Sequence, residues 1–350
     1  MGEYARCLAI ARAVSRRWQR AAIHFVLSRE APYAADAPFP ATLLDASATF
    51  HSPAVIELLE AWRPDVVIFD SAGRTAQLRA AQRLGARVVY ISARPRQRHK
   101  AFRWRWMSLI DEHWIAYPEF VAGSLSFFER LKLKAAGGPV VRYLDVILSR
   151  ADPAQRAAIL ARAGCDPGTF VLVVPGGGTG HPGVDDAADR FEAAARSLAA
   201  AGTATVYVGP ARASTAAAGA ADAGAPSNWH PLGSLPQAQL VELMRAARLV
   251  IANGGSTLLQ AIACGNACIA VAIAGDQAGR IRRCVAAGAA LAATLDAASM
   301  VQSANRLLQH EELRAALAGR AGRLGLADGV EVALQALAGL LRPAHSSRGT

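Results

Sequence analysis

The chain has 350 residues, 53% of them hydrophobic and 19% charged, which is long and apolar enough to bury real cores and excludes wholesale disorder. At roughly 150 residues per domain the length suggests two domains. The 38 basic residues exceed the 27 acidic ones by 11, but Lys100, Lys132 and Lys134 are the only lysines, so arginine dominates beside heavy alanine use; that pattern reflects the base composition of coding DNA as much as a polyanion-binding face, and nucleic acid is not expected as a partner.

Short β-branched runs alternate with alanine-rich segments of helical length, the pattern of a parallel sheet with crossover helices. Residues Arg6 to Val14 read as an amphipathic helix with only Met1 to Tyr4 before it. In a doubly wound domain such a helix follows a strand, so the first domain reads as lacking its first strand. The expectation is a natural product that starts upstream of Met1, with a short apolar strand and a glycine-rich turn ending at Gly2-Glu3. Strands are then expected at Ala22–Leu27, Asp65–Phe69, Arg87–Ile91 and His113–Ala116, and in the second half at Phe170–Val174, Ala204–Val208, Arg248–Ala252 and Ala267–Ala272. The change of domain falls between Leu144 and Gly168, with a capped helix start at Asp152-Pro153, giving domains 1–150 and 151–342 and a Pro/Ser/Gly-rich tail at 343–350.

Five cysteines (Cys7, Cys165, Cys264, Cys268, Cys284) form no C-x-x-C pair and no zinc spacing, which reads as free thiols in a reducing compartment. No uninterrupted apolar run reaches the ~20 residues that span a bilayer, and a signal-peptide layout is missing. A cytoplasmic protein is expected.

Two segments carry chemistry. Val171 to Val174 run into Pro175-Gly176-Gly177-Gly178-Thr179-Gly180-His181, and a helix follows over Asp185 to Ala200. Such a turn either cradles a phosphate on backbone N–H groups or simply packs tightly; it is not a Walker loop, because no Gly-Lys-Ser/Thr follows. The second segment is the strand Arg248 to Ala252, then Asn253-Gly254-Gly255-Ser256-Thr257 opening a helix, with Gln260 one turn in and Gly275-Asp276-Gln277 after the next strand. The hydroxyls of Ser256 and Thr257 can cap that helix or bind phosphate. Strand ends in open α/β sheets are where ligands sit.

At these residues the chain resembles the donor half of the GT-B type glycosyltransferases, in the branch of the lipid II-forming N-acetylglucosaminyltransferase and the UDP-sugar hydrolase of pseudaminic acid synthesis. Gly254-Gly255-Ser256-Thr257, Gln260, Gly265-Asn266-Ala267 and Asp276-Gln277 match the family's Gly-Gly-x-Thr-x-x-Glu helix, small-Gly-x-Pro turn and Asp/Asn-Gln pair. The resemblance implies two Rossmann-like domains facing across a cleft and a UDP-linked sugar donor. It implies that Gln260 holds ribose, that Gly255, Ser256 and Thr257 hold diphosphate, and that Gln277 meets the sugar. Gln260 replaces the usual glutamate and Ala267 the usual proline. Gly2 to Ala11 resembles the family's Gly-His-x-x-Arg-Cys-Leu-x-Leu-Ala start, with Glu3 at the histidine position. Glu3 reads as a general base or as an ordinary helix-dipole residue. Arg142, after Gly138-Pro139, resembles an arginine that approaches donor phosphates, or is a solvated linker residue. His181 reads as a phosphate neighbour.

Asp70, at the carboxyl end of Val66 to Phe69, reads as an acid lining a cleft or as the cap of the next helix. Arg94 to Met107 concentrates bases and aromatics: a solvated loop leading into a helix that buries Phe102, Trp106 and Leu109, a contact with anionic membrane, or a single-strand stacking surface. The expectation is a glycosyltransferase without cofactor or metal, acting on an unknown hydroxyl acceptor that a lipid carrier would hold at the inner face of the membrane. A nucleotide-sugar hydrolase and a silent binding homologue are the alternatives.

Overall fold

In the computed structural model the chain divides into two compact units, the first made of Met1–Ile147 with the chain from Ala327 onward, the second of Leu148–Leu326. The structure describes residues 2–31, 33–176, 186–210 and 226–341. Along the first unit run α1 (Gly2–Arg17), β1 (Phe25–Ser28), β2 (Ala41–Leu44), α2 (Ser52–Trp62), β3 (Val66–Asp70), α3 (Thr75–Arg83), β4 (Arg87–Ser92), α4 (Pro95–Ala101), α5 (Trp104–Met107), β5 (Glu112–Ile115), α6 (Glu119–Ala122), α7 (Phe127–Ala136) and β6 (Val140–Tyr143). The second unit holds α8 (Pro153–Ala163), β7 (Val171–Val174), α9 (Ala187–Ala200), β8 (Thr205–Tyr207), β9 (Trp229–Pro231), α10 (Gln237–Ala246), β10 (Leu249–Asn253), α11 (Ser256–Ala263), β11 (Cys268–Val271), α12 (Gly275–Ala286), β12 (Leu291–Ala293), α13 (Ala297–Gln309) and α14 (Glu311–Arg323). After them α15 (Gly329–Leu340) returns to the first unit.

Each expected strand forms within a few residues of its expected place. The sequence reading passed over β2, β6, β9 and β12, which are short and sit at or next to sheet edges. It also assigned α15 to the second domain. The helix instead buries Ala333, Ala336 and Leu337 in one core with Ile10, Ile91 and Leu144 of the first unit. Val330 and Leu334 pack with Ala13 of α1.

Among the described residues the sheet of the second unit has six strands, all parallel, in the order β12-β11-β10-β7-β8-β9. Every residue of β7, β10 and β11 is buried, as it must be for strands covered on both faces, and this is why they read as unbroken apolar runs. Phe191, Leu198, Met300 and Leu307 of α9 and α13 close one face. The chain moves outward from β7 to β9 and then returns to place β10 on the other side of β7, so the strand order reverses between β7 and β10.

In the first unit β3-β4-β5-β6 form a four-stranded parallel sheet, while β1 and β2 pair only with each other. Arg87 N–H donates to Asp65 O and Ser71 N–H to Ile91 O, so the alternate residues Val66, Ile68 and Asp70 turn their backbone groups away from β4. Phe25 N–H donates to Pro40 O and Arg29 N–H to Leu44 O, which turns Val26 and Ser28 away from β2 by the same alternation. No strand among the described residues pairs with these two edges. Side chains join the two sheets instead: Val55 and Leu59 of α2 share one core with Val26, Leu44, Val67 and Phe69. Tyr4 of α1 meets Phe25 edge-on, with ring centroids 6.0 Å apart.

Two predictions follow from this architecture. By amide hydrogen exchange, Val26, Val66 and Ile68 should exchange roughly tenfold or more faster than Val67 and Phe69, whose N–H groups lie in the β3–β4 ladder; equal protection would mean that the edges are paired. The second concerns His113, fully buried in β5 with its Nε2 2.8 Å from Ser92 Oγ. Burial, with a smaller contribution from Arg98, lowers its pKa from 6.5 to about 3. The unfolded chain therefore takes up a proton that the folded chain refuses, and stability conferred by the neutral ring is lost as pH falls from 6.5 toward 3. Denaturant unfolding followed against pH should show that fall in wild type and a shallower one in His113→Gln.

Candidate functional site

The reversal of strand order puts the carboxyl ends of β7 and β10 side by side, the position at which open α/β sheets hold ligands. A glycine turn leaves each end, and the buried side chain of Asn253 ties them together. Its Nδ2 donates to Pro175 O at 2.7 Å, and its Oδ1 accepts from Gly255 N–H at 2.9 Å. The glycines are required by this closeness. Gly176 has φ of 100°, and a Cβ there would stand 2.1 Å from Asn253 Nδ2. At Gly254 a Cβ would meet Ile281 at 2.7 Å.

Helix α11 starts directly from this turn with Gly255 as its N-cap and without a side-chain cap. The hydroxyls of Ser256 and Thr257 thus do not cap it, and the capping alternative is excluded. First-turn N–H groups of a helix have no intrahelical acceptor, and the helix dipole adds about half a positive charge at that end. An anion is the natural complement. Gln260 is buried one turn into α11.

The arginine that sequence reasoning missed is Arg280 of α12. It is buried, its Nη1 donates to Gly254 O, and its Nη2 lies 3.3 Å from Asp276. The Asp-x-x-x-Arg spacing of Asp276 and Arg280 was the available signal. Asp276 itself is two-thirds exposed. Gln277 is buried, and its Oε1 accepts the Ile273 N–H at 3.0 Å, so that oxygen is committed to holding the start of α12. Gly177, Gly178, Thr179 and His181 lie outside the described residues.

In the first unit the carboxyl end of β3 meets the first turns of α1. Arg6 donates to both oxygens of Asp70, at 2.8 and 2.7 Å, and the Cys7 thiol and the Ser71 hydroxyl reach the same carboxylate. Both side chains are more than nine-tenths buried. Asp70 is thus the counter-ion of Arg6, and the reading of it as a helix cap fails because the N-cap of α3 is Arg74, four residues further on, whose N–H donates to Gln77 Oε1. Burial in the first place, with the negative charge of Asp70, pushes the Cys7 thiol well above its ordinary pKa and keeps it protonated. Ser71 holds a left-handed φ of 59°, a strained conformation for a residue with a Cβ. Glu3 is exposed on the first turn of α1. Beside it, the rings of Tyr4 and Tyr33 stack with centroids 4.0 Å apart.

Arg142 does not stand free in a linker. It lies in β6 and donates to both oxygens of Glu112, at 2.9 and 3.1 Å, beside the Trp114 indole that bonds the same carboxylate. Glu112 is almost fully buried and needs a counter-ion, so Arg142 is spent on it. The basic segment Arg94 to Met107 forms α4 and α5 instead of a loop, and Phe102, Trp106 and Met107 are buried while Trp104 is 55% exposed. Arg98 binds Glu129, and the Lys100 ammonium lies 3.9 Å from the centroid of the Trp106 ring. One outward aromatic does not make a stacking track for nucleic acid.

No family model matches the chain, and no curated protein matches it. Solved structures do. MurG from Acinetobacter baumannii superposes with a TM-score of 0.61 at 16% identity, covering 96% of each chain. A UDP-glucosyltransferase from Polygonum tinctorium capable of glucosylating indoxyl reaches 0.64 at 13% identity, covering 95% of each. S. aureus MnaA in its structure with UDP reaches 0.58 at 13%, covering 91% of this chain and 88% of that one. At such identities the likeness establishes the fold, and the fold is that of the GT-B glycosyltransferases.

Removing the carboxamide that joins the two turns should loosen both. Asn253→Ala leaves Pro175 O and Gly255 N–H unpaired, which costs about 1–3 kcal/mol per buried group. Thermal unfolding of the variant should show the loss, and Asn253→Asp, which keeps the acceptor alone, should fall between the two.

Proposed function

We propose that this GT-B chain binds a nucleotide-diphosphate sugar, UDP-linked, in its second unit and transfers the sugar to a hydroxyl acceptor. The observation that carries the reading is the pair of glycine turns joined by Asn253 at the β7/β10 reversal, which leaves the α11 N-terminus uncapped. In this reading the N–H groups of Ser256 and Thr257 hold the diphosphate, Gly255, whose own N–H is held by Asn253, leaves room beside it, and Gly176 with its neighbours Gly177, Gly178 and Thr179 lets the backbone approach it. Gln260 hydrogen-bonds the ribose, with Gln277 and Asp276 on the sugar side. Negative charge gathers on the diphosphate as the glycosidic bond breaks, and pre-aligned N–H groups stabilise it without reorganising. Arg280 holds the Gly254 carbonyl and so fixes the turn from behind.

Glu3 remains the candidate base of the first unit, because it is exposed and forms no ion pair among the described residues, whereas Asp70 neutralises Arg6. Arg142 loses its proposed place at the donor to its pairing with Glu112. The acceptor is proposed to be lipid-linked, presented at the cytoplasmic face of a membrane near Arg94 to Met107. Among the described residues no helix is long and apolar enough to cross a membrane.

Calorimetric titration with UDP tests the donor reading. Wild type should bind, and Gln260→Ala should bind more weakly. Gln260→Glu should bind roughly tenfold more tightly, because a carboxylate makes the stronger, charge-assisted hydrogen bond to a hydroxyl. Equal binding by all three proteins overturns the placement of ribose at Gln260. Turnover of UDP-sugars with and without hydroxyl acceptors then separates transfer from hydrolysis, and no turnover in either case leaves a binding protein.

A further inference from the structure

Helix α7 is amphipathic in the wrong sense for a buried helix. Phe127, Phe128 and Leu131 are 68%, 71% and 51% exposed, and at 100° per residue they form one stripe with Ala135. The only acid of the helix, Glu129, turns inward and is consumed by Arg98. Arg130 and Lys134 flank the stripe on its outer side and are exposed. Helix α5 packs against α7, and it adds Trp104, 55% exposed between the exposed Arg103 and Arg105. From Arg94 to Ala136 six arginine and lysine side chains are exposed against a single exposed acid, Glu119. Two of the chain's three lysines, Lys100 and Lys132, lie in the same region but are turned inward onto the Gly73 and Phe102 carbonyls, so they do not contribute.

We infer that the α5–α7 face of the first unit is a docking surface for an anionic lipid bilayer. The apolar stripe of α7 lies flat in the headgroup layer over a length of about 15 Å. The indole of Trp104 occupies the same depth, where aromatic rings with one polar edge settle. The surrounding cations meet lipid phosphates and anionic headgroups, each contributing attraction that salt screens. The charge pattern selects this occupant over another protein surface: large apolar side chains ringed by one sign of charge suit a fluid apolar layer under a negative interface. The inference goes beyond the Arg94 to Met107 segment by assigning the apolar anchor to α7, and it rests on the first unit alone. UDP binding and vesicle binding therefore succeed or fail separately.

Flotation with phosphatidylglycerol-containing phosphatidylcholine vesicles tests it, against vesicles of phosphatidylcholine alone. Wild type should float with the anionic vesicles at low salt and release above about 0.15 M. Phe127→Ser with Phe128→Ser, and separately Arg103→Glu with Arg105→Glu, should each weaken binding roughly tenfold or more. Both pairs are exposed, and unchanged circular dichroism and UDP affinity would show that folding is intact. Brominated lipids should quench wild-type fluorescence more than that of Trp104→Phe. Wild type that does not float, variants that float as well as wild type, or a face whose substitution changes only the oligomeric state in sedimentation would each overturn the inference.

Discussion

A parallel sheet must end somewhere, and at its carboxyl edge the last rung of backbone groups has no next rung to bond. In the second unit one side chain resolves this at the point where the strand order reverses. The Asn253 carboxamide donates to the loop after β7 and accepts from the loop after β10, so two chain segments 78 residues apart share a single fixed geometry. Everything at that edge follows from it. The glycines at 176 and 255 are needed because the amide stands where a Cβ would be. The absence of a side chain over the α11 N-terminus follows in turn, since a capping residue at 255 would collide with the Asn253 oxygen.

The first unit meets a different constraint. Among the described residues its two sheets share no backbone ladder and are joined by the side chains of α2, while α1 is held to the larger sheet by an ion pair. Arg6 and Asp70 are both nearly fully buried, and removing one partner of such a pair typically costs about 3–5 kcal/mol, because the other is left charged in a dry site. The pair fixes the first turns of α1 against the end of β3, which places Glu3, Tyr4 and the strained Ser71 in one neighbourhood. Their proximity is thus a by-product of an interaction that the unit needs in order to hold together.

The repeating apolar runs were legible because buried parallel strands cannot afford polar residues, and β4, β7, β10 and β11 were read within a residue or two. Strands such as β9, with Trp-His-Pro, or β12, with Leu-Ala-Ala, carry no such signature, since an edge strand needs only its backbone. At the site, the glycine turns and Gln260 were visible as a pattern. Asn253 was seen only as part of a turn, because the carbonyl it binds lies far away in sequence. Arg142 looked free, and the whole Gln277 amide available, for a related reason: a polar residue in a motif shows no partner until the chain folds, and Glu112 and the Ile273 N–H are partners that only folding supplies.

Helix α15 carries a consequence for how the molecule is made. It is the last helix among the described residues, yet it packs on α1, the first of them, while Leu148–Leu326 fold between them as a continuous unit. On the ribosome the second unit emerges whole and can close on itself at once. The first unit has its beginning and its end separated by that entire insertion, and Ile10, Ala13 and Trp18 must wait, with apolar surface uncovered, until the C-terminal helix leaves the exit tunnel. The half of the protein that is synthesised first is the half completed last, and it is there that a chaperone would find its longest-lived client surface.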